Sequence, residues 1–126
     1  MRTDEAELLV VDDEAPVRLS LAAYLEDEGF MVRTADSAEQ AIDVARSNPP
    51  HLAVVDLRLP GMDGAALILE LARDHPGMKF LIHTGSTKFS LSEDLKSAGL
   101  DDSHVFFKPV LDMGEMVRKI TTLLQE

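Results

Sequence analysis

Short apolar runs recur along the chain and are separated by longer stretches in which apolar and polar residues mix. Five of these runs are apolar over most of their length and end at a polar or turn-forming residue. Because they lack the strict alternation of a half-buried strand, they predict strands that are covered on both faces, as in a parallel sheet. The predicted strands are Glu7–Val11, Phe30–Ala35, Leu52–Asp56, Lys79–His83 and Val105–Phe107.

Apolar residues at helical spacing fill the stretches between the strands. Pro16 suits the first turn of a helix, where a missing N–H costs little, and Gly29 and Gly99 are suited to ending one. Asp63 is placed to cap the third helix. The predicted helices are Ala15–Glu28, Ala38–Ser47, Ala65–Asp74, Ser90–Ala98 and a last one from about Asp112 to Leu124.

Five strands that alternate with five helices through short loops predict one α/β domain, with helices on both faces of the sheet. At 126 residues the chain is of a size that buries a core without disulfides or structural metals. We expect the domain to cover residues 1–126, with its core at about residues 7–124.

Composition excludes several classes of protein. The chain has no cysteine, which excludes disulfides and thiolate metal sites. It shows neither a signal peptide nor an apolar stretch near the roughly 18 residues that span a bilayer. Its net charge of −11 argues against nucleic-acid binding by this domain alone. We therefore expect a soluble, cytoplasmic protein without membrane contact, whose excess of acids serves solubility or gathers at a cation site.

Polar residues follow the predicted strands at the ends that meet in a parallel sheet. Asp12 and Asp13 follow the first strand, Asp56 ends the third, Thr84 follows the fourth and Lys108 follows the fifth. Individually these residues carry little weight, since an Asp pair at such a junction commonly caps a helix and a lone Thr or Lys commonly has no special role. Because ligands bind at the carboxyl ends of the strands in such sheets, the coincidence of all five there predicts a site.

The chemistry of this set is that of phosphoryl transfer. Three carboxylates held close together repel one another unless a cation or protons enter. Hard oxygen ligands without thiolate or a nearby imidazole favour Mg²⁺, which leaves positions open to phosphate oxygens. A carboxylate is also a nucleophile that forms an aspartyl-phosphate. The sequence thus predicts a Mg²⁺-assisted site in which Asp56 accepts the phosphoryl group, Lys108 neutralises its charge and Thr84 donates a hydrogen bond to it.

Four stretches resemble the receiver domain of bacterial two-component response regulators. They are LLVVDDE, VVDLRLPGMDG, the HTGS turn after the fourth strand, and FFKP. The resemblance extends from Glu7 to about Leu124 and therefore covers nearly the whole chain. It implies a flavodoxin-like, doubly wound fold in which five helices cover both faces of a parallel sheet with strand order 2-1-3-4-5.

The resemblance also implies roles for individual residues. Asp56 is then the phosphoacceptor, Thr84 and Lys108 contact the phosphoryl group, and the Lys108–Pro109 peptide is cis. The Mg²⁺ ion is held by oxygen ligands from Asp12, Asp13, Asp56 and the backbone carbonyl of Arg58.

Partners follow from the same resemblance. The phosphoryl group comes from a sensor histidine kinase or a phosphotransfer protein, and phosphorylation switches a surface that binds a downstream protein or an output domain missing from this chain. The chain is then no enzyme beyond self-phosphorylation from a phosphodonor and slow self-dephosphorylation. The mixed charges of the last helix fit a phosphorylation-dependent homodimer or a solvated surface.

The segment around the fifth strand departs from the family pattern. The family usually carries an aromatic switch residue three positions before the lysine, where this chain has Val105. The stretch from Gly99 to Lys108 is also longer than the common form. We expect Phe106 and Phe107 to be core and packing residues and His104 to lie on the surface.

Other functions fit parts of this pattern. A haloacid-dehalogenase-like phosphatase or phosphotransferase would carry a second Asp two residues after the nucleophile, where this chain has Arg58. A nucleotide-binding site is disfavoured because the chain lacks the GxxxxGKS/T and GxGxxG motifs. A pseudo-receiver, which binds partners without being phosphorylated, stays open because of the altered fifth strand.

Overall fold

A parallel sheet of five strands forms the framework of the computed structural model, which describes residues 2–126. The strands are β1 (Glu7–Val11), β2 (Met31–Ala35), β3 (Leu52–Val55), β4 (Lys79–Thr84) and β5 (Val105–Phe107). They lie in the order β2-β1-β3-β4-β5, and each neighbouring pair is parallel. This strand order and direction confirm the prediction from the sequence.

Residues 2–126 contain five α-helices, of which four connect successive strands and the fifth follows β5. They are α1 (Ala15–Asp27), α2 (Ala38–Ser47), α3 (Gly64–Asp74), α4 (Glu93–Ser97) and α5 (Met113–Leu124). Two short 3-10 helices, Thr3–Glu5 and Asp102–His104, precede β1 and β5. Among residues 2–126, no helix is both long and apolar enough to cross a membrane.

Alternate residues of the strands pack into two separate apolar cores. Leu8 and Val10 of β1 are buried in the core formed with α1 and α5, whereas Leu9 and Val11 are buried in the core formed with α2, α3 and α4. Because helices cover both faces of the sheet, the strands carry apolar residues at successive positions and show no alternation of apolar and polar residues. Because burying one such side chain contributes about 1.5–3 kcal/mol, the two cores dominate the stability of the fold.

Phe30 lies outside β2, although the sequence pattern assigns it to that strand. Its N–H donates to the carbonyl of Leu25 (3.2 Å), and the N–H of Gly29 donates to the carbonyl of Glu26 (3.0 Å). Together these bonds close the end of α1. Gly29 has φ 101°, in the left-handed region that such a helix end requires and that glycine adopts readily. Phe30 therefore belongs to the end of α1, and β2 begins at Met31.

The fourth helix is shorter than the predicted Ser90–Ala98. The side chain of Ser92 accepts a hydrogen bond from the N–H of Leu95 (3.2 Å), so that Ser92 caps the helix and α4 begins at Glu93. Two smaller differences concern strand ends, since β3 ends at Val55 rather than Asp56 and β4 extends to Thr84. The side chains that bond to the backbone at these ends decide the boundaries, and sequence periodicity does not register them.

His104 is buried, so the prediction that it lies on the surface is wrong. The segment before β5 curls into a 3-10 turn in which the Asp101 carboxylate accepts from the N–H of Ser103 (2.9 Å). His104 Nδ1 accepts from the N–H of Asp101 (3.0 Å), and the side chain of His104 is drawn inward, with 7% of the residue exposed. Phe106 packs in the core with α1 and α5, as predicted. Phe107 is 41% exposed, which contradicts its expected place in the core.

Gly64 allows α3 to begin directly against the loop that follows Asp56. A Cβ atom at this position would lie 2.2 Å from the carbonyl oxygen of Asp56 and 2.8 Å from the Cα of Leu57. The N–H of Gly64 donates to the carbonyl of Leu57 (2.8 Å). The carboxylate of Asp63 accepts from the N–H of Ala66 (2.8 Å), which confirms the predicted cap. The backbone behind Asp56 is thereby held from two directions.

Gly64→Ala should destabilise the protein, because the added Cβ meets backbone atoms that have to move. We expect the free energy of unfolding to fall by about 1–3 kcal/mol, as measured by urea denaturation followed by circular dichroism. The matched control is Gly85→Ala, since a Cβ there meets no described atom within 4 Å and the φ of Gly85 is not positive. Stability should be unchanged or slightly raised in the control. Equal losses in the two variants would contradict the close approach at Gly64.

Candidate functional site

The carboxyl ends of the strands hold five of the predicted site residues along one edge of the sheet, namely Asp12, Asp13, Asp56, Thr84 and Lys108. The N–H of Asp56 donates to the carbonyl of Val11 (2.9 Å), and the N–H of Lys108 donates to the carbonyl of Thr84 (2.8 Å). The N–H of Asp12 likewise donates to the carbonyl of Ala35 at the end of β2 (3.1 Å). These bonds continue the sheet pattern past the strands, so the backbone of each residue is anchored where its side chain leaves the sheet. The Lys108–Pro109 peptide is cis, as expected.

Asp12, Asp13 and Asp56 form a group of carboxylates at this edge. One oxygen atom from each residue lies within 4.8 Å of the others. Asp12 and Asp56 are only 2% and 5% exposed, whereas Asp13 lies on the surface. Negative charges at this spacing, two of them largely out of water, are unfavourable unless positive charge is close. The group offers hard oxygen ligands, and it could therefore hold a divalent cation.

Lys108 places an ammonium group between two of these carboxylates. Its Nζ atom lies 2.8 Å from Oδ2 of Asp12 and 3.4 Å from Oδ2 of Asp56. Burial lowers the pKa of Lys108, but the hydrogen bond to Asp12 and the charges of Asp56 and Asp12 outweigh this effect, so that the pKa lies above its ordinary value. Lys108 is therefore positively charged at neutral pH.

The charge of Asp56 is only partly compensated. Burial raises the pKa of Asp56, the charge of Lys108 lowers it and the charge of Asp12 raises it again, with a net increase above the ordinary value. Oδ1 of Asp56 also accepts a long hydrogen bond from the N–H of Arg58 (3.4 Å). The carboxylate is thus held in an environment that favours the arrival of more positive charge.

Local hydrogen bonds fix the neighbours of this group. Oδ1 of Asp12 accepts from the N–H of Glu14 (2.9 Å), and the backbone carbonyl of Asp12 accepts from Nη1 of Arg18 (2.9 Å). On β4, the hydroxyl oxygen of Thr84 accepts from the N–H of Ser86 (3.1 Å), and Thr84 is fully buried. The side chains of Asp12 and Thr84 are therefore oriented by the chain itself.

A cleft of about 270 Å³ gives access to Asp56 from outside. It is lined by charged residues and one glycine, namely Asp13, Glu14, Asp56, Arg58, Gly85 and Lys108. The absence of a side chain at Gly85 leaves room on the β4 side of this opening. The cleft leaves the carboxylate of Asp56 accessible from the surface of the protein.

The structure brings four of the sequence-predicted residues into direct proximity, namely Asp12, Asp13, Asp56 and Lys108. Thr84 lies next to Gly85 at the same edge, buried and with its hydroxyl bonded to the turn that follows. Arg58 borders the cleft with an exposed side chain.

Two residues at this edge were missed by sequence reasoning. Glu14 lines the cleft, and its position directly after Asp12 and Asp13 was the available signal. Arg18 bonds to the backbone of Asp12 from within α1. A charged residue on a helix has no feature in the sequence that would indicate such a contact.

A family of known proteins matches this combination of fold and residues. The family model that describes the response regulator receiver domain matches residues 8–121. This match covers most of the sheet, all four strand ends that carry the carboxylates, Thr84 and Lys108, and most of α5.

Two curated relatives are regulatory proteins that are longer than this chain. The two-component response regulator PhoP of Pseudomonas aeruginosa is 36% identical over 118 residues, which are 94% of this chain and 51% of PhoP. The photosynthetic apparatus regulatory protein RegA of Cereibacter sphaeroides is 37% identical over 78 residues, which are 62% of this chain and 42% of RegA. The chain thus spans about half, or less, of the length of these relatives.

Solved structures share the fold over its full extent. A putative response regulator from Chloroflexus aurantiacus superimposes with a TM-score of 0.83 at 28% identity, covering 96% of this chain and 98% of that one. With the family match over residues 8–121 and the strand order β2-β1-β3-β4-β5, the chain belongs to the response regulator receiver domains of two-component systems.

Proposed function

We propose that this chain is a phospho-accepting switch, in which Asp56 takes a phosphoryl group with the assistance of Mg²⁺ and a protein-binding surface changes in response. The observation that carries the proposal is the position of Lys108 Nζ, 2.8 Å from Asp12 and 3.4 Å from Asp56 at the base of an open cleft. An ammonium group in this place balances the charge of an anionic group arriving at Asp56. Residues 1–126 act as one receiver unit, with its core at about residues 7–124.

The cluster of three carboxylates offers the oxygen ligands that a Mg²⁺ site needs. Within residues 2–126, the ammonium group of Lys108 contacts two of the three acids, Asp12 and Asp56, so negative charge is left over for a divalent cation. Asp12, Asp13, Asp56 and the backbone carbonyl of Arg58 are the proposed ligands. When bound, Mg²⁺ supplies neutralisation of the charge on the phosphoryl oxygens.

In the proposed step, an oxygen of Asp56 forms a bond to phosphorus while the bond between phosphorus and the donor's leaving group breaks. The electron pair of the broken bond stays with the leaving group, which is the imidazole of a phosphohistidine or the carboxylate of acetyl phosphate. Asp56 reacts as the carboxylate. Its pKa is raised, first of all by burial, which makes the ionised oxygen more basic and so a better nucleophile.

Lys108 and Thr84 bind the transferred group once it is on Asp56. Lys108 holds its positive charge next to the attacking oxygen throughout the step. In the structure, the hydroxyl oxygen of Thr84 accepts a hydrogen bond from the N–H of Ser86. The proton of the Thr84 hydroxyl is therefore available for a phosphoryl oxygen. Because the carbonyl of Thr84 is bonded to the N–H of Lys108, a shift of Thr84 moves the ends of β4 and β5 together. That coupling offers a path from Asp56 to the surface.

The phosphoryl donor in this proposal is a sensor histidine kinase or a phosphotransfer protein. The signal passes to a downstream protein or to an output domain. PhoP and RegA are long enough to contain a further domain beyond the part that matches this chain. The chemistry is confined to Asp56 of the chain itself, as self-phosphorylation from a phosphodonor and slow self-dephosphorylation. A phosphorylation-dependent homodimer is a further way in which the switched surface can act.

Incubation with acetyl phosphate and Mg²⁺ should add one phosphoryl group to the wild-type chain, as measured by intact-protein mass spectrometry. Asp56→Asn should gain none, because the nucleophile is lost. Lys108→Met should gain it about 100-fold more slowly, because the compensating charge is lost. Asp63→Asn is the matched control, since it alters an Asp in the same loop and Asn is an equally good helix cap.

The control should be phosphorylated like the wild type. A mass gain that persists in Asp56→Asn would contradict the assignment of the acceptor. No gain in the wild type, with Mg²⁺ binding intact, would replace this proposal by the pseudo-receiver alternative.

Mg²⁺ should raise the thermal stability of the wild-type chain, because it binds the folded carboxylate group and not the unfolded chain. At a free concentration a hundredfold above its Kd, the gain in unfolding free energy is about 2.7 kcal/mol. Differential scanning calorimetry with and without Mg²⁺ measures it. Asp13→Ala should lose most of the gain, whereas Glu14→Ala, which removes the neighbouring acid outside the group, should keep it. A gain of wild-type size in Asp13→Ala would contradict the proposed ligand set.

A further inference from the structure

A second cavity, of about 550 Å³, lies between α1 and the segment that leads from β5 into α5. Its walls are mostly apolar and are formed by Val17, Leu21 and Tyr24 on one side and Val110 and Met113 on the other. The volume falls within the range of about 300–1,000 Å³ that is typical of small-molecule sites. The cavity is distinct from the cleft at Asp56, and among the described residues the two linings have Lys108 in common.

His83 brings an unpartnered polar group to the wall of this cavity. The residue is part of β4 and is 7% exposed. Within residues 2–126, no hydrogen bond or ion pair reaches its imidazole ring. The ring lines the cavity, so a polar group of a bound ligand can reach it and supply the hydrogen-bond partner that the chain does not. The ring is therefore placed to bind a group from outside the chain.

The imidazole of His83 is uncharged at neutral pH. Burial lowers the pKa of His83, the charge of Lys108 lowers it further and that of Asp12 raises it, with the result at about 4. A neutral imidazole offers one donor and one acceptor. It pairs with a hydroxyl or N–H group and provides no charge to attract an anion.

The surroundings of the cavity also disfavour an anionic ligand. The charge of Lys108 is outweighed on this side by the two carboxylates that it contacts, Asp12 and Asp56, so the three groups together present no net positive charge to the cavity. Burial raises the pKa of the Tyr24 phenol, and the nearby carboxylates of Glu28 and Asp112 raise it further, as expected for a wall that has acids close to it. The net charge of −11 acts in the same direction.

We propose that this cavity binds an uncharged, ring-sized organic molecule, with its apolar body against Leu21, Tyr24 and Met113 and its hydroxyl or N–H group paired with His83. The ligand then lies against Lys108, the side chain that also borders the cleft at Asp56. The site rests on its own volume and contacts. Its test measures binding alone, so its outcome is separate from that of the phosphorylation experiments.

A ¹⁹F NMR titration of the full chain with 4-fluorophenol tests this site, with 4-fluorobenzoate as the charged counterpart. The wild-type chain should bind the phenol saturably and should not bind the benzoate over the same concentrations. His83→Leu should weaken binding of the phenol about five- to tenfold, because it keeps the apolar volume and removes the hydrogen-bond partner.

A second pair of variants blocks the cavity from an exposed helix position. Ser20→Trp places a ring in the cavity without altering the core, and it should abolish binding of the phenol. Ala23→Trp is the matched control, since Ala23 is exposed on the same helix and outside the cavity lining, and it should bind like the wild type. The proposal is overturned by an absence of saturable phenol binding, by equal affinity for the benzoate, or by wild-type affinity in both His83→Leu and Ser20→Trp.

Discussion

Repulsion among Asp12, Asp13 and Asp56 is the constraint on which the functional edge of this protein depends. The fold holds one oxygen of each of these acids within 4.8 Å of the others and buries two of them, and among residues 2–126 the ammonium group that contacts them is that of Lys108, beside Asp12 and Asp56. Such an arrangement is stable only because the surrounding sheet and its two cores supply the free energy that keeps the acids together. The charge left uncompensated is what makes the edge receptive to a cation and an anionic group together.

The sheet maintains this edge by anchoring the backbone where each side chain leaves it. The hydrogen bonds from Asp56 to Val11 and from Lys108 to Thr84 join adjacent strand ends directly. Gly64 adds a second restraint, since the start of α3 lies against the carbonyl of Asp56 at a distance that no side chain permits. The charged site is therefore built where hydrogen bonds and a close backbone contact restrain the chain, which is what precise positioning of a nucleophile requires.

The sequence predicts those features that depend on periodicity and on the direction of parallel strands. The strand order and the gathering of Asp12, Asp13, Asp56 and Lys108 follow from these rules and from the family resemblance. What it missed depends on contacts between distant segments or on local bonds to side chains. His104 is buried because a 3-10 turn forms before β5, and Ser92 shortens α4. The cavity at His83 forms only where α1 meets the start of α5, and no local pattern marks it.

The central claim is that Asp56, and neither of the acids beside it, receives the phosphoryl group. Reduction with borohydride after treatment with acetyl phosphate and Mg²⁺ converts a phosphorylated aspartate into homoserine, which peptide mass spectrometry locates. We expect homoserine at position 56 and at no other aspartate. Homoserine at Asp12 or Asp13, or none in a chain that binds Mg²⁺, would contradict it.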